Sequence, residues 1–171
     1  TFWVTNPGND TLNTYVVDAS SGAPVLTASG SIPLAGAPNS VAVYQGLVAV
    51  AVEGPTKQDL GQVQFFDAAT GQPSGASVTV GALPDMLVFT PDGSTILVAN
   101  EGEADEATGL INPEGSVSVI DVAARTAATA SFAPFNGQKA ALQAAGVRLS
   151  DVNGISLAQD VEPEYIAVSA D

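Results

Sequence analysis

A strand-like stretch that ends in aspartate and then turns occurs three times, and its spacing limits the fold more than any other feature. The copies are Tyr15-Val16-Val17-Asp18, Gln64-Phe65-Phe66-Asp67 and Val119-Ile120-Asp121, with 49 residues from Asp18 to Asp67 and 54 from Asp67 to Asp121. Two other elements keep the same rhythm. Leu97-Val98-Ala99-Asn100-Glu101-Gly102 resembles Val50-Ala51-Val52-Glu53-Gly54 and, more loosely, Phe2-Trp3-Val4-Thr5-Asn6. Pro38-Asn39-Ser40-Val41, Pro84-Asp85-Met86-Leu87 and Pro163-Glu164-Tyr165-Ile166 form the third set. A period near 50 residues built from short apolar runs is that of a four-stranded β-propeller blade.

Each unit reads as strands A to D, with the third at about 85–90, 95–100, 116–121 and 127–132. Thr90-Pro91-Asp92-Gly93-Ser94 supplies an A–B turn, because Pro presets φ and Gly accepts a positive one. Asp18, Asp67 and Asp121 are expected to accept backbone hydrogen bonds in the C–D turns. The fold class is therefore all-β, a propeller fragment of about three blades: 1–34, 38–80 and 84–132. A helical insertion follows over 134–160, and the first strand of a further blade over 163–171. Within the insertion, Asn136-Gly137 before an Ala-rich run and Gly146 after it predict a short capped helix near 137–146.

Closed propellers have about four to eight blades, so three leave the ring open. The sequence predicts a piece of a longer parent whose remaining blades close the ring. Alternatively, another copy of the chain closes it, with the last A strand beside a partner's first B strand. Open edges of this kind also suit a surface filament.

Eighteen acidic residues against four basic ones give a formal charge of −14. That surface repels phosphate backbones and anionic membrane surfaces, so neither nucleic acid nor membrane insertion is expected. Cysteine and histidine are both absent. Thiolate chemistry, imidazole-ligated zinc and Ser-His triads go with them. No apolar run approaches the roughly 20 residues of a membrane span.

The strands of a blade alternate in direction, so B–C loops and D–A connections emerge on one face. The third B–C loop carries Glu101, Glu103, Asp105, Glu106 and Glu114, and the D–A connections bring Asn39, Asp85, Asp160, Glu162 and Glu164 to the A-strand entrances. Carboxylates gathered on a rim raise one another's pKa unless a cation neutralises them, and hard oxygen ligands favour Ca²⁺. The expected Ca²⁺ ligands come from Glu101, Glu103, Asp105, Glu114, Glu162 and Glu164. Glu162 and Glu164 are also the candidates for general acid–base catalysis, since residues two apart on an extended segment point the same way.

The segments Leu83-Pro84-Asp85-Met86, Ala99-Asn100-Glu101-Gly102-Glu103, Pro113-Glu114-Gly115-Ser116, Phe135-Asn136-Gly137-Gln138 and Asp160-Val161-Glu162-Pro163-Glu164-Tyr165 resemble the choice-of-anchor I proteins. These are bacterial extracellular propellers, often labelled alkaline phosphatase-like or related to a mesenchyme-specific cell-surface glycoprotein. The resemblance covers most of residues 38–171. It implies a larger parent, export from the cell and a variable C-terminal anchor. Two functions follow as expectations: a secreted or cell-surface Ca²⁺-binding module acting as a binding or scaffold element, and a metal-dependent phosphoesterase.

Overall fold

The structure is a computed structural model that describes residues 1–20, 22–105, 107–150 and 152–170. Its eleven strands form three antiparallel sheets in chain order. The first holds β1 (Phe2–Asn6), β2 (Thr11–Asp18) and β3 (Val25–Pro33). The second holds β4 (Pro38–Tyr44), β5 (Leu47–Val52), β6 (Leu60–Asp67) and β7 (Val78–Ala82). The third holds β8 (Pro84–Phe89), β9 (Thr95–Asn100), β10 (Ser116–Asp121) and β11 (Thr126–Ser131). Each strand pairs with its chain neighbour, as in propeller blades. Among the described residues the first sheet has three strands, and its β1 lies against β4 as β5 lies against β8.

The sheets are held face to face by period-two alternation. All of Val48 to Val52 in β5 is buried, because both faces of the strand are covered. Val48, Val50 and Val52 face the first sheet and join Leu12 and Phe66, with Trp3, Ile32 and Leu34 packed against them. Ala49 and Ala51 face the third sheet and join Val63, Phe65, Leu87, Ile96, Val98 and Ile120. Burying each large aliphatic side chain contributes about 1.5–3 kcal/mol. The turns follow their residues. Asp67 Oδ1 accepts from the backbone N–H of Ala69 at 3.1 Å and of Thr70 at 2.8 Å, and Asp121 Oδ1 from that of Ala124 at 2.7 Å. Asp18 Oδ1 accepts from the N–H of Ser20 at 2.9 Å.

Two expectations change in the region that follows. The insertion begins with a 3₁₀ turn over Ala133–Gln138 and continues as α1 (Lys139–Ala144), but Asn136 does not cap that helix. Its Oδ1 instead accepts from the N–H of Ala158 at 2.9 Å, at the start of α2 (Leu157–Asp160). The helix that is capped is α2: Ser156 and Gln159 exchange side-chain and backbone hydrogen bonds as a capping box. The strand expected over 163–171 is also absent: residues 161–170 form no ladder, and Asp171 lies outside the described residues. A strand exists by virtue of its neighbour, and no described strand runs beside this segment.

Candidate functional site

The segment 161–170 nevertheless meets the third sheet by a joint that repeats the one between the second and third sheets. A Cβ on Gly61, in β6, would lie 2.5 Å from Cδ of Pro84, the first residue of β8. A Cβ on Gly115, just before β10, would lie 2.6 Å from Cδ of Pro163. In both joints the proline ring of one unit rests on a bare glycine of the unit before it. The residue ahead of each proline is left-handed, with φ of 48° at Leu83 and 40° at Glu162. Proline already disfavours helical backbone in the residue before it, so each is a strained hinge held by its surroundings. The strain at Glu162 is thus a property of the joint.

Next to each proline stands the residue that reaches the rim: Asn39, Asp85 and Glu164. Asn39 Nδ2 donates to the carbonyl of Pro84 at 3.4 Å, linking the second unit to the third. The B–C loops fasten to the same joints, with the Glu53 N–H donating to the Ala37 carbonyl and the Glu101 N–H to the Leu83 carbonyl, each at 2.9 Å. The Gly102 N–H donates to Ala82 at 3.2 Å, and Gly115 donates to Ala158 at 2.8 Å. Gln159 Nε2 donates to the Asn112 carbonyl at 2.8 Å. Backbone bonds therefore carry Glu101, Glu103, Glu162 and Glu164 to one rim, with Asp85 among them.

Their electrostatics report that proximity. Glu101 is pushed up to about 7, by partial burial first and then by the carboxylates of Glu103, Asp85, Glu162 and Glu164. Glu162 is raised by loss of hydration and by Glu103, Asp160 and Glu164. Asp85 is raised by burial and by Glu164, against the pull of Lys57. Lys57 Nζ contacts Glu103 Oε2 at 3.0 Å and brings a positive charge to this cluster.

The other acids of the expected ligand set do different work. Asp105 turns back on its own loop, accepting from the Ala107 N–H at 3.1 Å and from the Thr108 hydroxyl, and these bonds hold its carboxyl below the usual range. Glu114 is exposed and does not figure among the charges acting on Glu101. Glu106 lies outside the described residues. Asp160 is a structural residue: although burial opposes its charge, the Ser150 N–H at 2.7 Å and Lys139 at 3.1 Å hold its pKa down. Among the described residues, no three acidic side chains stand close enough to grip one metal ion between them. The rim gathers negative charge without forming a ready cage.

Two contributors lie outside the expected ligand set. Asp85 holds the same place after proline as Glu164, and the repeat alone exposes that equivalence. Asn100, fully buried, donates through Nδ2 to the hydroxyls of Ser116 at 3.1 Å and Ser118 at 2.9 Å, beneath the Glu101 loop. Its Oδ1 has no partner among the described residues. The alternation of β9 marks Asn100 as inward-facing, and a buried amide at the end of an apolar strand is the signal that could have found it.

The family model of the choice-of-anchor I domain matches residues 1–171, the whole chain. The chain belongs to the choice-of-anchor I family. No curated protein matches it at a significant level. Among solved structures it is similar to a chain of Kuenenia stuttgartiensis hydrazine synthase, with a TM-score of 0.56 and 18% identity. That likeness shows the fold of this choice-of-anchor I chain. It covers 75% of this chain and 33% of the other, so the chain spans about a third of its neighbour's length. Among the described residues, no helix is long and apolar enough to cross a membrane.

Proposed function

We propose that this choice-of-anchor I chain is a binding or scaffold module displayed at a bacterial cell surface, and that its acidic rim draws in Ca²⁺. The observation that carries the reading is the lifted pKa of Glu101, crowded by Glu103, Asp85, Glu162 and Glu164. A divalent cation at that rim offsets the repulsion, and all-oxygen donors suit Ca²⁺. The carboxylates would have to close around the ion, which fits the weak affinities, about 10⁻⁴–10⁻³ M, of extracellular Ca²⁺ modules. Asp105 drops out of the proposed ligands because its own loop consumes it, and Glu114 because it is exposed and is not among the charges acting on Glu101. The remaining blades of a longer parent, or a second copy, close the ring.

Titration calorimetry with CaCl₂, paired with thermal melting, tests this. Saturable heat and a higher melting temperature support it when both shrink in Glu101→Gln and Glu164→Gln. No heat and no stabilisation at millimolar Ca²⁺ overturn it.

A phosphoesterase is the second reading, favoured by the raised carboxyl of Glu162 beside Glu164, since a general acid needs a pKa nearer neutrality. Turnover of a chromogenic phosphomonoester that depends on Ca²⁺ and is lost in Glu164→Gln would select it over the scaffold.

A further inference from the structure

We propose that the groove between the first sheet and the C–D turn of the second binds a neutral carbohydrate. The groove encloses about 470 Å³, within the usual range of small-molecule sites. One wall is the face of β1, β2 and β3 that carries Trp3, Thr14 and Ser29, and the other is the turn bearing Thr70 and Gln72. Although the chain has 18 acids, no acidic or basic side chain among the described residues lines it. An anion is repelled by the net charge, and a cation finds no carboxylate in the groove. A sugar ring matches what is there, because its C–H face is apolar while its edge is a row of hydroxyls.

The half-buried Trp3 offers the apolar surface. The hydroxyls supply the edge contacts. Ser29 Oγ donates to Thr14 Oγ1 at 3.0 Å, which leaves the Thr14 proton and the Ser29 lone pairs available. Thr70 is committed to its turn through Asp67 at 2.8 Å, which fixes the backbone beside Gln72. The exposed Gln72 is held through its backbone, its N–H donating to Thr70 Oγ1 at 3.3 Å and its carbonyl accepting from the Asp67 N–H at 2.9 Å, so its side-chain amide can both donate and accept. Gly30 keeps the floor open, since a Cβ there would lie 2.9 Å from Thr14 Oγ1.

Trp3 is the only tryptophan in the chain, so emission excited selectively at tryptophan reports on the wall of this groove. The test titrates the protein with cellotriose, maltotriose, xylotriose and triacetylchitotriose, with digalacturonic acid as the anionic comparison. A saturable emission change is expected with at least one neutral sugar and none with the acid. Gln72→Ala, on an exposed turn, should melt like the parent yet bind about three- to tenfold more weakly, the worth of one neutral hydrogen bond. Three outcomes overturn the proposal: no saturable change with any neutral sugar up to its solubility, undiminished binding in both Gln72→Ala and Thr14→Val, or an emission change that follows protein concentration without sugar. The last would mean that a second copy covers the groove.

Discussion

Lys57 Nζ stands 3.0 Å from Glu103 Oε2, joining the B–C loop of the second sheet to that of the third. Gln58 supports the same bridge, its Nε2 donating to the Glu103 carbonyl at 3.1 Å. Lys57 also pulls Asp85 downward. With its side chain 52% exposed, the pair contributes modestly. Lys57→Met is expected to cost less than about 1 kcal/mol at neutral pH, because exposed ion pairs are screened. Asp85 should titrate higher in the variant, which carboxyl ¹³C NMR would detect. An unmoved Asp85 would contradict this placement of the charges.

Stability should depend on pH in a direction fixed by Glu101. Its folded pKa of about 7 lies above the 4.5 of an ordinary glutamate, so between those values the folded state holds a proton that the unfolded chain has released. Stability therefore falls as pH rises through that window and levels off above it. Asp85 and Glu162 act in the same sense. Asp18, Asp67, Asp92 and Asp105, all lowered by local hydrogen bonds, lose their contribution as pH falls below the ordinary aspartate range. The melting temperature should peak near about pH 5 in the absence of divalent cations. Glu101→Gln should flatten the decline on the neutral side by on the order of 1 kcal/mol after solvent screening. Calorimetric scans from acid to mildly alkaline pH check this, and a wild-type decline unchanged by the variant would refute it.

Gly115→Ala should disturb both fold and rim. The added methyl would lie 2.6 Å from Pro163 Cδ and 3.0 Å from the Glu101 carbonyl, so the segment bearing Glu162 and Glu164 must move. A cost of about 1–3 kcal/mol is expected, as for other overpacked positions. Glu101 should then titrate lower, since two of the carboxylates that raise it retreat. A titration identical to wild type would show that the segment does not need this seat.

Arg125, in the turn between β10 and β11, places its guanidinium carbon 3.6 Å from the centre of the Phe65 ring. Its Nη2 donates to the Ser74 carbonyl at 3.3 Å, so one side chain clamps the third sheet to the second. Arg125→Ala should destabilise by about 1–3 kcal/mol in chemical denaturation, through the lost cation–π contact and hydrogen bond. Arg125→Lys should recover part of that, because an ammonium cannot lie flat on the ring while reaching the carbonyl. Equal stability of all three proteins would remove the clamp.

The blades were legible because each carries its own punctuation. Asp18, Asp67 and Asp121 announce the C–D turns, and Pro38 and Pro84 open the A strands. Bringing Glu101 together with Glu164 required only alternating strand directions, so that pairing too could be read from the chain. What escaped depends on partners distant in sequence. Asp105 looked like a ligand until Thr108 and the Ala107 N–H claimed it. Asn136 sits where a helix cap for α1 belongs, yet its oxygen serves α2, twenty-two residues on. The capping box of Ser156 and Gln159 opens a helix of only four residues, too short for the apolar periodicity that marks a helix in sequence. The groove around Trp3 had no linear signature, because the turn of a different sheet supplies its far wall.

The division of β5 between two neighbours also governs how the molecule comes apart. Val48, Val50 and Val52 answer to one side while Ala49 and Ala51 answer to the other. The middle sheet cannot loosen without exposing both interfaces at once, and neither flank retains its cover if the middle is lost. A fragment of one repeat would have nothing to lean on, and the row should melt as a unit instead of shedding its sheets in turn.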